Sequence, residues 1–411
     1  MDGVTYRLER FTARAFKSLL DVTVDLGQVN VFVGANGSGK SNLLEAIGVL
    51  SAAATGRVDD GRLKEQGVRP GLPRLYKTSF KGTRASPEIR FTASGPGCSY
   101  EVGLFAPMDD ITPVWRFHTE LLWEGGRKLV GRSHHSRDRY NPEAGLAALK
   151  MVDLKPESPA ARLLSALQGF GIYSPATDFL RGLVPDPSQR VPVGLRGGHL
   201  PEAVQGLKNA LASRLRASGD QESREILEEV QNDTLEMIDW ANRYAAVSLE
   251  RAPQTSSVPS ARTVLLFRDR YMAEERNTLS GYDASEGALF VLFNAVMALH
   301  PKAPSFLAID NADHGLNPRL ARRLMECMCK WLLRLSPERQ VLLTTHNPLV
   351  LDGLPLQDER VRLFTVSRSR QGRTVVSRVV FDKRLREMAA EGWTLSRLWV
   401  MGHLGGGVPD V

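Results

Sequence analysis

Residues 29–50 read VNVFVGANGSGKSNLLEAIGVL, and this stretch decides the fold. Val29, Val31 and Val33 alternate with Asn30 and Phe32, the period of a β-strand. Gly34 to Ser41 then match the spacing G-x-x-x-x-G-K-S, and Leu43, Ile47 and Leu50 follow at helical spacing. Strand, glycine loop and helix stand in the order that a phosphate-cradling loop requires. Gly34, Gly37 and Gly39 let the backbone close around phosphate oxygens with amide N–H groups pointing inward. A helix beginning near Lys40 adds the positive end of its dipole. The candidate nucleotide-binding segment is therefore Gly34, Ala35, Asn36, Gly37, Ser38, Gly39, Lys40, Ser41 and Asn42. In such a loop Lys40 reaches the β- and γ-phosphates and the Ser41 hydroxyl ligates magnesium.

A magnesium site of this kind needs an acid at the end of a neighbouring strand. FLAIDNADHGLNP, residues 306–318, supplies one: an apolar strand runs into Asp310. In open parallel sheets ligands bind at that end of the strands. QVLLTTHNPLVL contains a second apolar run, Val341 to Thr345, with His346 at its exit. His346 is thus a candidate γ-phosphate sensor that also orients water. Upstream, TLSGYDASEGALFVLFNAVMALHP places Ser285, Glu286 and Gly287 ahead of an apolar helix. A Ser at a helix start caps the helix, and the same N-terminus offers an anion a set of N–H donors.

The rest of the composition narrows the classes. A chain of 411 residues with 42% hydrophobic and 24% charged residues buries a large core and allows two or three domains. No run approaches the ~18 apolar residues of a membrane span. The opening MDGVTYRLERFTARAFKSLL lacks the apolar core of a signal peptide, so a cytoplasmic, membrane-free chain is expected. Cys98, Cys327 and Cys329 include no C-x-x-C pair, which argues against a disulfide framework or a zinc ribbon. The net charge of +7 permits contact with DNA phosphates, as it permits an ordinary solvated basic face.

In order along the chain, GANGSGKSN, DASEGAL, FLAIDNADHGLNP and LLTTHNP resemble a Walker A loop, an ABC signature, a Walker B strand with its D-loop, and a switch histidine. Together they resemble the ABC-type ATPases of the RecF/SMC/OLD group, which act in DNA repair and anti-phage defence. The opening FTARAFKSLLDVTVDLGQVNVFVGANGSGKSN fits the same group, in which a strand pair carrying FKS leads into the loop. The resemblance covers residues 5–50 and 262–368, about two-fifths of the chain. It implies an α/β P-loop head with an antiparallel β-lobe and an inserted helical subdomain. It also implies ATP and Mg2+ as cofactors, with Ser41 and Asp310 as metal ligands, and a head-to-tail homodimer. In that dimer each nucleotide lies between Lys40 and Ser41 of one copy and Ser285, Glu286 and Gly287 of the other.

One departure bears on catalysis. The group usually places a glutamate after the Walker B aspartate, and Asn311 stands there instead. An amide orients water but does not accept its proton. Asp313 and His346 are the candidate replacements, and the IDN-x-D-x-x-LNP run resembles a recurrent variant of the group. Either hydrolysis is slow and the ATP-bound dimer is a long-lived switch, or Asp313 restores turnover. The amide weighs toward the slow switch.

Between Walker A and the signature no sustained heptads appear, so an SMC-like coiled coil is not expected. PEIRFTAS, SYEVGLFA, VWRFHTELLW and RKLVGR within residues 86–131 read as strands of the β-lobe. Helices are expected within 142–177 and over 201–217 and 220–247, with Ile226, Val230, Leu235 and Ile238 as a core stripe. GRSHHSRDRYN concentrates Arg132, His134, His135, Arg137 and Arg139, read as a solvated loop with a phosphate-backbone contact as the alternative. Lys64, Arg69, Arg74 and Lys77 follow the loop helix, and in relatives an arginine of this region approaches the nucleotide. Near the end, RLFTVSRSR and TVVSRVVF read as a hairpin, and KRLREMAAEGWTLSRLWV as helical. The 65 residues after His346 contain no D-x-D, so the metal-binding Toprim nuclease domain of OLD proteins is not expected here.

The segmentation expected is 1–140 for the loop and β-lobe, 141–261 for the helical insertion, 262–370 for signature, Walker B and switch histidine, and 371–411 for a tail. The function expected is ATP-gated dimerisation that regulates a separate effector such as a nuclease, with DNA as a further partner. A non-enzymatic ATP sensor or scaffold is the alternative, and a transporter ATPase is disfavoured by the FKS opening and the lack of a membrane-facing helix.

Overall fold

Among the described residues the strands form three sheets. The computed structural model describes residues 7–82, 86–105, 115–133, 140–218, 221–248, 263–335 and 339–404. His134, His135, Arg137 and Arg139 and the Gly-rich end from residue 405 lie outside the described residues.

The first part of the chain runs Arg10–Phe16 (β1), Leu19–Asp25 (β2), Val29–Val33 (β3), Lys40–Ala54 (α1), and two short helices, Asp60–Glu65 (α2) and Pro73–Tyr76 (α3). Four strands follow: Ile89–Gly95 (β4), Cys98–Phe105 (β5), Arg116–Glu124 (β6) and Arg127–Arg132 (β7). The middle holds Leu146–Lys150 (α4), Pro159–Gly169 (α5), Ile172–Tyr173 (β8), Thr177–Leu180 (α6), Leu200–Ser218 (α7), Gln221–Met237 (α8) and Ala241–Ser248 (β9). Then come Thr263–Asp269 (β10), Thr278–Ser280 (β11), Glu286–Leu299 (α9), Phe306–Ile309 (β12), Pro318–Arg334 (α10) and Gln340–Thr345 (β13). Val361–Arg368 (β14), Thr374–Val379 (β15), Lys383–Ala390 (α11) and Leu395–Val400 (α12) close the described chain.

The central sheet has the order β15-β14-β3-β13-β12-β8. All its pairings are parallel except β14 with β15. Every residue of β3, β12 and β13 is buried, as strands covered on both faces must be. The period of two sorts their side chains. Phe32, Ala308, Leu342 and Phe364 face α1, α5 and the β-lobe. Val31, Val33, Ile309, Leu343 and Leu363 face α7, α8, α9 and α10. α9 lies in the middle of that second core and is buried continuously from Ala288 to Leu299.

The β-lobe is antiparallel, with order β2-β1-β4-β5-β6-β7. Its four later strands fall where the sequence predicts them, and β1 and β2 join the same sheet. Arg132 differs from the expectation of a solvated loop: it ends β7 with 2% exposure and donates to Phe117 O and Ala144 O. A guanidinium so enclosed is not open to DNA phosphates.

The predicted helix over 220–247 stops at Met237, and Ala241–Ser248 is a strand. Ala241, Tyr244 and Ala246 are buried, and β9 pairs antiparallel with β10 beside β11. Tertiary pairing overrides the helical reading there. The core stripe is as read: Ile226, Val230 and Ile238 are buried, and Leu235 packs against the core that holds Val230 and Ile238. The inserted segment also lends the central sheet an edge strand, because Ile172 and Tyr173 pair with Ala308 and Ile309. The hairpin read from the late sequence is β14 and β15; its first strand adjoins β3, so the hairpin belongs to the central sheet. Among the described residues no helix is long and apolar enough to cross a membrane.

Candidate nucleotide-binding site

The parallel register brings three strand exits level. Val33 pairs with Thr345, and Leu343 pairs with Ile309. Gly34, Asp310 and His346 therefore leave the same edge of the sheet, at the carboxyl ends where such folds bind ligands.

Gly34 is buried, and a Cβ there would stand 2.1 Å from Val366 O. Only glycine lets β14 approach the loop so closely. Gly39 caps α1 with φ 111°, and a Cβ would meet Thr374 Oγ1 at 2.1 Å. Lys40 is buried, and its ammonium donates to Gly34 O at 2.7 Å and Ala35 O at 3.1 Å. It also lies 3.2 Å from His346 Nδ1. Burial lowers its pKa to about 8, against the pull of Asp310 and Asp313. A desolvated ammonium of this kind gains from an anionic partner. Ser38 is buried as well, and its Oγ has no hydrogen-bond partner among the described residues. A buried hydroxyl without a partner in this loop fits a phosphate cradle. Asn36 and Gly37 are exposed on the rim.

Ser41 Oγ donates to Asp310 Oδ2 at 2.9 Å. Thr344, fully buried on β13, donates to Asp310 Oδ1 and accepts Asn311 N at 2.8 Å. Asp310 is thereby aimed at the loop helix. Among the described residues no group of three or more His, Cys, Asp or Glu side chains forms a metal cage. A hydroxyl and one carboxylate instead suit magnesium, which keeps several waters and is completed by substrate phosphates.

Asn311 adopts φ 56°, a left-handed conformation that asparagine tolerates. Asp313 Oδ1 is buried without a hydrogen-bond partner among the described residues. Burial and then the charge of Lys40 push the His346 imidazole below its ordinary pKa, and Asp313 opposes this. His346 is accordingly neutral near pH 7 and can orient water.

The structure gathers Lys40, Ser41, Asp310, Asp313 and His346 into one site. It does not gather the signature with them: none of Ser285, Glu286 and Gly287 hydrogen-bonds to residues 34–42 among the described residues. Ser285 caps α9, and Glu286 accepts from Thr177 Oγ1. Gly287 lies against Leu316, Leu320 and Gly315 O in the segment after Asp313.

Several supports escaped the sequence reading. Arg368 Nε donates to Gly37 O at 2.8 Å, and Thr374 Oγ1 donates to Ser38 O at 2.8 Å. Ser18, of the FKS turn, meets both Thr374 Oγ1 and Asn42 Nδ2 at 2.7 Å. Glu45 is buried on α1 and paired with Lys17 and Arg69. Burial would raise its carboxyl, but these two cations hold it below the ordinary value. Of the four basic residues after the loop helix, Arg69 donates to the first turn of α1, to Asn42 Oδ1 at 3.4 Å.

A family model described as "AAA domain, putative AbiEii toxin, Type IV TA system" matches residues 29–352, from β3 to just beyond β13. The chain belongs to that family. It is similar to the DNA replication and repair protein RecF of Renibacterium salmoninarum, 41% identical over 202 residues, with 39% of this chain and 50% of that one covered. The RecF of Heliobacterium modesticaldum is 37% identical over 81 residues, covering 17% and 22% of the two chains. The chain thus spans half or less of the length of these curated relatives. Among solved structures, an Smc head bound to the C-winged helix domain of ScpA aligns with TM-score 0.51 at 13% identity, covering 92% of this chain and 99% of that one. At that identity the likeness concerns the fold alone. Taken with the family match and the RecF likeness, the chain is an ABC-type ATPase of the RecF/SMC group.

Proposed function

We propose that the protein binds and hydrolyses ATP, that two copies close head to tail around the nucleotide, and that the closed dimer regulates a partner effector. The observation that carries the reading is the convergence of Lys40, Ser41, Asp310, Asp313 and His346 at one sheet edge, with Asp313 Oδ1 buried and unpartnered among the described residues.

Each residue has a chemical task. The N–H groups of the loop and the Lys40 ammonium take the charge of the β- and γ-phosphates. Ser41 and Asp310 would hold magnesium, which would supply positive charge against the phosphates. Asp313 accepts the proton of the attacking water, and His346 orients that water and senses the γ-phosphate. Asn311 orients without accepting. Ser285 to Gly287, at the start of α9, receive the triphosphate of the second copy, so that the dimer persists only while the γ-phosphate is present.

The effector is proposed as a nuclease acting in DNA repair or anti-phage defence. The RecF likeness supports a DNA setting, and the family description supports control of a toxic activity. The basic balance of +7 supports DNA as a further partner. A second reading, a sensor that binds ATP and turns it over slowly, is favoured by Asn311 in place of a glutamate. Phosphate release by the wild type and by Asp313→Asn, with solution mass measured in magnesium and ATP, tests both. Turnover lost in the variant supports the enzyme; dimerisation with no turnover in the wild type supports the sensor. A monomer throughout contradicts head-to-tail closure.

A further inference from the structure

The start of α9 carries a hydroxyl whose hydrogen-bonding capacity is already divided. Ser285 Oγ accepts from Ala288 N at 3.4 Å as the helix cap. It also accepts from the indole Nε1 of Trp240 at 3.2 Å, reaching from the turn between α8 and β9. A serine hydroxyl has two acceptor lone pairs and one proton, and an indole N–H only donates. Both lone pairs are therefore engaged by fixed donors, and the capacity left is the O–H. Ser285 is exposed, and no hydrogen bond among the described residues uses that proton.

Trp240 is not free to turn away. Its ring packs on Phe267 of β10 with centroids 5.4 Å apart, and its carbonyl accepts Arg270 N at 2.9 Å. The ring is half-buried against the second core. A rigid aromatic from the inserted segment thus sets the orientation of a hydroxyl at the signature. With both lone pairs occupied, Ser285 offers an incoming group nothing but a donor, and the N–H groups of the first turn of α9 offer the same. The hydroxyl and these N–H groups present donors to an anionic acceptor, while the Glu286 carboxylate in the same turn is engaged by Thr177 Oγ1.

We propose that Trp240 is a positioning residue that commits the Ser285 hydroxyl to donating, so that α9 receives the terminal phosphate of a nucleotide held by a second copy of this chain. The inference rests on the dimer reading above. Without the indole N–H, one lone pair of Ser285 is released, the hydroxyl rotates among water partners, and the donor is no longer preset.

The test uses the full chain with magnesium and a non-hydrolysable ATP analogue. Dimer formation is measured by sedimentation for wild type, Trp240→Phe, Ser285→Ala and the double variant, and analogue binding to the dilute monomer is measured separately. Phenylalanine keeps a ring against Phe267 and lacks the N–H. A neutral hydrogen bond contributes ~1 kcal/mol, about 5-fold per site and roughly 25-fold on a symmetric dimer. Trp240→Phe is expected to weaken the dimer by that factor, leave monomer binding unchanged, and add nothing in the Ser285→Ala background. Trp240→His, which keeps a ring N–H, is expected to restore part of the loss. A wild type that binds the analogue yet stays monomeric overturns the dimer reading. A wild type that dimerises, with Trp240→Phe dimerising equally well or weakening Ser285→Ala as much as wild type, overturns the role of Trp240 alone.

Discussion

Ser41 Oγ and Asp310 Oδ2 lie 2.9 Å apart although 269 residues separate them in the chain. The contact joins the first turn of α1 to the exit of β12, and Thr344 fixes it from behind. Asp310→Ala is expected to leave the fold intact and to remove the magnesium dependence of ATP uptake. Turnover should fall ~100-fold or more, the scale of about 3 kcal/mol of lost charge stabilisation. Calorimetric titration with and without magnesium checks the first expectation, and phosphate release the second.

The loop is also held from the opposite side. Arg368 and Thr374 donate to the carbonyls of Gly37 and Ser38 from the β14–β15 hairpin. Both side chains act on the backbone carbonyls of the loop and so fix the curvature of the cradle. Thr374→Val and Arg368→Ala are each expected to weaken ATP affinity by ~5-fold, one hydrogen bond's worth, with kcat nearly unchanged. Separate KM and kcat measurements check this, and a fall in kcat with KM constant would contradict it.

Lys208 of α7 sits over the ring of Tyr244 at 3.9 Å and donates to the Tyr244 carbonyl. Burial, with Arg243 adding to it, lowers its pKa from 10.5 to about 8. Between those two values the unfolded chain holds a proton that the folded chain has released. Stability therefore rises with pH across the window from about 8 to 10.5, and below it the cost of the buried charge is present in full. Lys208→Met is expected to lack this rise. Urea denaturation of both proteins at neutral and alkaline pH checks the sign: wild type should gain on the variant as the pH goes up.

The fold was legible where its signals are contiguous. Val29 to Leu50 spell strand, loop and helix in a single run, and the apolar runs before Asp310 and His346 identify two neighbouring strands. What stayed hidden depends on side chains from distant segments. Ser18, Asn42 and Thr374 form one hydrogen-bonded group, yet nothing in the local pattern of any of them announces it. The same holds for Trp240 against Ser285 and for Thr344 beneath Asp310. β8 has two residues, too few for a periodicity, and depends on β12 for its pairing. Ala241–Ser248 reads as helix by propensity and becomes strand because β10 offers a partner. Among Lys64, Arg69, Arg74 and Lys77 the sequence gives no ranking, whereas the buried Glu45 on α1 selects Arg69.

Asp313 carries the hydrolytic part of the account. With Asn311 unable to accept a proton, Asp313→Asn is expected to lower kcat by ~100-fold or more while ATP still binds, in the range that general bases contribute. Single-turnover phosphate release checks it. Unchanged release would return the base role to another group.

Calorimetry tests the phosphate cradle most directly. Wild type titrated with ATP and magnesium is expected to bind with saturable heat, and Lys40→Ala, equally well folded by circular dichroism, is expected to lose that binding. Absence of magnesium-dependent uptake in the wild type, or equal uptake by both proteins, would contradict the account.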